Sequence, residues 1–105
     1  MRLPGRLRSV LDQLIQVVQN LHDETRDFLN QAEEQQLWYN RGYANGVVHA
    51  IDALGYGAYL EDRLTRDPND LIQGHELMPW GKAYQHGFEM GEKETREVIG
   101  PHPDQ

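Results

Sequence analysis

A chain of 105 residues with 17 acidic against 10 basic side chains carries a formal net charge of -7 and is only 38% hydrophobic. This length supports a single core, because a second would need at least ~50 residues of its own. The absence of cysteine excludes disulfides, thiolate zinc sites and thiol catalysis, and no apolar run approaches the ~20 residues that span a bilayer.

The N-terminus MRLPGRLRSV lacks a signal-peptide core, so a cytoplasmic location is expected. Residues 1–6, with Arg2, Arg6 and Pro4-Gly5, read as a flexible arm. From Leu7 the spacing turns helical. Leu7, Val10, Leu14, Val17, Leu21 and Phe28 lie on a near-heptad stripe, so the spacing predicts an amphipathic helix over about 7–30. Ser9, with Asp12 three residues on, is the expected N-cap. A dimerisation helix over 7–32 explains this stripe and the shortage of apolar residues together, which makes a homodimer the expected state.

The seam weakens after Leu21, yet neither Gly nor Pro separates Arg6 from Arg41. A turn near Asn30 and one helix running on to about Leu54 both fit. Helical character returns over 33–54, where Leu37, Trp38, Tyr43, Val47, Ala50, Ile51 and Leu54 share a broad face. Gly55-Tyr56-Gly57 suits a left-handed cap there. Residues 58–66 predict two further turns. Asp67-Pro68-Asn69-Asp70 predicts the start of a short helix broken at Gly74. Pro79 opens a last helix over 79–98, stopped by Gly100-Pro101, and residues 100–105 read as a frayed tail. No segment alternates with period two. The fold class is all-α: a small single-domain bundle of three main helices plus one or two short ones, in which 33–99 forms a glycine- and aromatic-rich helix–loop–helix.

Eight of the nine aromatics and eight of the ten glycines fall between Trp38 and Gly91. Tyr39-Asn40-Arg41-Gly42-Tyr43-Ala44-Asn45-Gly46 aligns with Tyr84-Gln85-His86-Gly87-Phe88-Glu89-Met90-Gly91, and both copies read Tyr–x–x–Gly–aromatic–x–x–Gly. A mid-helix glycine costs about 1 kcal/mol relative to alanine, so four of them require an offsetting gain. Glycines four apart share one helical face and admit a second backbone, which predicts a close crossing of the two helices. The same faces are the candidate binding surface: Trp38, Tyr39, Arg41, Gly42, Tyr43 and Gly46 on one, Trp80, Tyr84, His86, Gly87, Phe88 and Gly91 on the other.

Arg41-Gly42-Tyr43-x-x-Gly46, then Met78-Pro79-Trp80, then Tyr84-x-x-Gly87-Phe88, resembles ribosome modulation factor and its phage- and plasmid-borne relatives over residues 38–91. That resemblance implies a helix–loop–helix geometry, a bacterial or phage origin and association with ribosomal RNA. A net charge of -7 opposes docking on RNA phosphate, and the basic cluster Arg2, Arg6 and Arg8 stands apart from the shared motif.

The histidines His22, His49, His75, His86 and His102 show no Glu–x–x–His or His–x–x–x–His spacing, so no metal site is expected. His49 with Asp52 and His86 with Glu89 read as histidines held by a neighbouring acid. Glu89–x–x–Glu92 supplies one half of the magnesium geometry of all-α nucleotide pyrophosphohydrolases. Its setting among Lys93, Arg96 and Glu97 reads as solvated pairing instead. Ser9 is the single serine. Neither catalytic residues nor cofactors are expected. The reading is a non-catalytic regulatory protein that docks a macromolecular partner, with ribosome or RNA association, or a helical pocket for a nucleotide, as alternatives.

Overall fold

The computed structural model describes residues 4–31, 34–63 and 77–100. They form α1 (Gly5–Glu24), a 3₁₀ turn (Phe28–Asn30), α2 (Gln35–Ile51), a π turn (Asp52–Tyr56), α3 (Gly57–Arg63) and α4 (Pro79–Ile99), with no strand among the described residues. The chain is all-α, and no described helix is long and apolar enough to cross a membrane.

Several boundaries differ from the sequence expectation. α1 begins at Gly5, inside the expected arm, with Pro4 as its N-cap residue; Ser9 lies within the helix. It ends at Glu24 rather than near residue 30. There Thr25 turns back on the last turn, its N–H and hydroxyl donating to the Leu21 carbonyl at 3.0 and 2.5 Å. The break needs no glycine or proline because its cause is tertiary: the 3₁₀ turn swings Phe28 into a cluster with Trp38 and Tyr84. A single helix through to Leu54 is therefore excluded. Gly55 does adopt the left-handed conformation (φ 99°), but the chain re-enters a helix at once as α3. Pro79 opens α4 as expected, and Gly100 (φ 80°) closes it by donating its N–H to Arg96. The expected helix start at Asp67–Asp70, together with His75, His102 and residues 101–105, lies outside the described residues.

α1 packs on α2. Leu11, Ile15 and Val18 meet Ala44, Val47, Val48 and Ile51, with Tyr56 and Leu60 completing the core. Leu7, Leu14 and Leu21 flank that core half-buried, while Val17 remains 41% exposed. At 100° per residue the buried face is turned roughly a quarter turn from the Leu7–Leu14–Leu21 seam. The stripe expected to pair two copies is thus largely covered by its own chain. Across α1, α3 is fastened by Gln19, which donates to the Arg63 carbonyl at 2.9 Å, and by a hydrogen bond from the Tyr59 hydroxyl to Asp12.

The central feature is the pairing of α2 with α4. Thr95 lies on the α4 stripe one turn beyond Gly91 and is buried, and its hydroxyl has no hydrogen-bond partner among the described residues. A buried unsatisfied hydroxyl costs about 1–3 kcal/mol. Thr95→Val, which keeps the shape and removes the polar atom, is therefore expected to raise stability by about 1 kcal/mol in urea unfolding.

Candidate binding face

The four glycines of the repeated element form the crossing itself. A Cβ placed on Gly42 would collide with the carbonyl of Tyr84, and one on Gly46 with that of Phe88. Reciprocally, Gly87 lies against the carbonyl of Tyr39 and Gly91 against that of Tyr43. Both series advance in the same direction, so α2 and α4 run parallel. The contacts also exchange under a shift of 45 residues: Tyr39 corresponds to Tyr84, Gly42 to Gly87, Tyr43 to Phe88 and Gly46 to Gly91. The pair therefore has a local twofold axis running between its helices. At each glycine the hydrogen standing in the Cβ position points at a carbonyl oxygen, a Cα–H···O contact worth about 0.5–1 kcal/mol. Four of these, with the dispersion of close backbones, offset the helix cost of the glycines.

An axis between parallel helices interchanges the two flanks of the pair, so equivalent residues face opposite ways. One flank is closed. There Tyr84 is buried against Phe28 and Trp38, and a polar relay crosses three helices: the Asn45 amide nitrogen donates to the Tyr84 hydroxyl at 2.7 Å. That leaves the Asn45 carbonyl oxygen to accept from His22 Nε2 at 2.8 Å. Arg41 donates to the His22 carbonyl at 3.3 Å and to the Thr25 hydroxyl at 3.4 Å, with its guanidinium 5.1 Å from the centre of the Phe28 ring.

The other flank is open. Tyr39 stacks on Tyr43 at 6.3 Å and meets the His86 ring at 5.6 Å, and the Tyr43 hydroxyl donates to Glu94 at 2.6 Å. Tyr39 and Tyr43 are half-buried and His86 is exposed. Burial, then the bond to Glu94, pushes the Tyr43 hydroxyl from its ordinary 10 up to about 12. A group raised in the folded state stabilises the fold below its unfolded value, and the contribution fades as pH rises through the folded one. Tyr43→Phe is therefore expected to remove a step between pH 10 and 12 from the alkaline unfolding curve followed by circular dichroism.

The structure divides the expected site residues. Gly42, Gly46, Gly87 and Gly91 are the crossing. Trp38 and Tyr84 are core, Trp80 packs half-buried beside them, and Arg41 turns inward to α1. Phe88 lies beneath His49, their ring centres 5.4 Å apart. Tyr39 and His86 meet at the surface, and Tyr43 beside them packs half-buried against the α1–α2 core. Of the dimer stripe, Phe28 is in the aromatic cluster, Leu7, Leu14 and Leu21 flank the α1–α2 core, and Val10 is half-buried.

The histidines take other partners than their sequence neighbours. His49 pairs with Glu92 across the crossing at 2.5 Å rather than with Asp52, His86 contacts Tyr39, and His22 is buried on Asn45. No spacing rule signals the His22–Asn45–Tyr84 relay, whose members come from three helices. Glu24–x–x–Asp27 has the spacing that would complement Glu89–x–x–Glu92, but both its acids are exposed, Glu24 closing α1 and Asp27 preceding the 3₁₀ turn. No group of three or more metal-ligating side chains gathers among the described residues. Comparison with known proteins finds no matching family model, curated protein or solved structure.

Proposed function

We propose that this chain is a non-catalytic docking protein of the cytoplasm that binds a macromolecular partner through the open flank of the α2–α4 pair. One observation carries the reading: of two equivalent flanks, the chain roofs one with α1 and Phe28 and leaves the rings of Tyr39 and His86 on the other, with Tyr43 half-buried beside them. Surface rings held by a rigid backbone crossing bury apolar area on docking at little conformational cost.

Capture from lysate on immobilised protein, with wild type against Tyr39→Ala/His86→Ala, tests it. A partner retained by the first and lost from the second supports docking at this flank. Identical retention by both removes it. Association with ribosomes, the alternative that the resemblance implies, would show as co-sedimentation that vanishes at high salt. The inward turn of Arg41 and the net charge count against it. A homodimer through the expected α1 stripe would have to use what α1 leaves outside its core, chiefly Val10 and Val17. Light scattering at micromolar concentration reads it directly.

A further inference from the structure

The two edges of the face that α1 buries are unlike. Leu11, Ile15, Val18 and His22 of that face pack on α2, and Asp12 and Gln19 hold α3 along one edge of it. Along the opposite edge run Val10, Leu14, Val17 and Leu21, which at 100° per residue fall within about 60° of one another. Val17 is 41% exposed and the other three are half-buried, so each keeps apolar surface in contact with water. The outer margin of this strip carries one charge at each end. Arg6 and Glu24 stand at the same azimuth, five full turns and about 27 Å apart along the axis. Both are exposed, and among the described residues neither enters a side-chain hydrogen bond or an ion pair.

We infer that this strip pairs antiparallel with the same strip of a second copy of the chain. The spacing of Val10, Leu14, Val17 and Leu21 runs four, three, four, and so reads the same in both directions. Turned end to end, Val10 stands opposite the partner's Leu21 and Leu14 opposite the partner's Val17, with the twofold axis level with the Ile15–Gln16 bond. That rotation keeps the outer margins of both helices on one side. It therefore sets Arg6 within one residue's rise of the partner's Glu24, and does so twice. A parallel pairing would instead set Arg6 level with the partner's Arg6 and Glu24 with the partner's Glu24, so charge selects the antiparallel one. The same margin favours a second copy over an unlike partner of one charge, since it is basic at one end and acidic at the other. The contact is short, about 17 Å along the helix, which is too little for the ~800 Å² per partner of a stable dimer. Half-dimerisation at about 100 µM is the expected range. The pairing goes beyond the docking reading and does not rest on it, because it uses neither Tyr39 nor His86.

Sedimentation equilibrium of the full chain tests it, in about 0.15 M salt to screen the repulsion between two copies of charge -7. A monomer–dimer equilibrium is expected between about 10 and 500 µM. Arg6→Glu and Glu24→Arg should each weaken it about tenfold, and the double variant should restore it, since both pairs are then only reversed. Val17→Lys should abolish it, whereas Leu77→Lys, the same change at an 86% exposed leucine outside the strip, should leave it unchanged. All four positions are exposed, so the fold is retained, which circular dichroism checks. Orientation is read by disulfide trapping, which the cysteine-free chain permits. Arg6→Cys and Glu24→Cys should cross-link when oxidised as a mixture and not when oxidised separately. Cross-linking of either variant to itself alone, or a double reversal that fails to restore association, would overturn the inference. So would an equal loss from Leu77→Lys, which places the contact elsewhere. A monomer up to about 500 µM would also overturn it and leave the strip to an unlike partner.

Discussion

Gly46→Ala is expected to lower the melting temperature by roughly 10–20 °C, from overpacking worth about 2–3 kcal/mol. The sign is the informative part. Alanine is the better helix former by about 1 kcal/mol, so the same change in an open helix raises stability. At Gly46 the new methyl would overlap the Phe88 carbonyl, and also stand 3.0 Å from the Glu92 nitrogen, so no side-chain rotation relieves it. The two backbones would have to separate along the crossing. Gly42, Gly87 and Gly91 face equivalent obstacles and should respond alike. Gly5, with nothing within 4 Å, is the internal control, and Gly5→Ala should leave the melting curve unchanged or slightly higher. Thermal melts of the pair decide it, and a Gly46→Ala chain melting with wild type would refute the tight crossing.

Trp38→Ala is expected to cost about 4 kcal/mol, read as a drop in the urea midpoint at unchanged slope. Trp38 is fully buried and sits where three segments converge. Its ring supports Phe28 edge-on and lies 6.5 Å from Trp80, and its indole N–H donates to the Gln31 carbonyl at 3.2 Å. Truncation leaves a void beneath Phe28 and frees the link that follows the 3₁₀ turn. Trp38→Phe retains a ring but not the donor, and should cost about half as much.

The glycine crossing is legible in the sequence, because two constraints coincide there: glycines four apart mark a helical face, and their recurrence 45 residues later supplies the matching face. The relay of His22, Asn45 and Tyr84 was not legible, since side chains 23 and 39 residues apart are joined only by packing. The face that α1 buries differs from the expected seam for a related reason. Leucines at seven-residue intervals suggested a seam through Leu7, Leu14 and Leu21, whereas the core takes Leu11, Ile15, Val18 and the polar His22. A histidine does not count as apolar until its partner is known. Arg41 is the opposite case: a charged residue beside a glycine, it donates to the His22 carbonyl of α1 and to the Thr25 hydroxyl instead of facing a ligand.

Parallel helices cannot be joined by a short hairpin turn, and this has a kinetic consequence. Every contact in the crossing links residues more than forty positions apart, so the search for it begins only after a long stretch of chain has closed on itself. An up-and-down bundle of this length assembles wholly from neighbours; here the α2–α4 crossing does not, and slower folding than such a bundle is expected. The α1–α2 core, with its shorter separations, can form first. In that order the glycine faces meet late, and substitutions there should chiefly accelerate unfolding while leaving the refolding rate nearly constant.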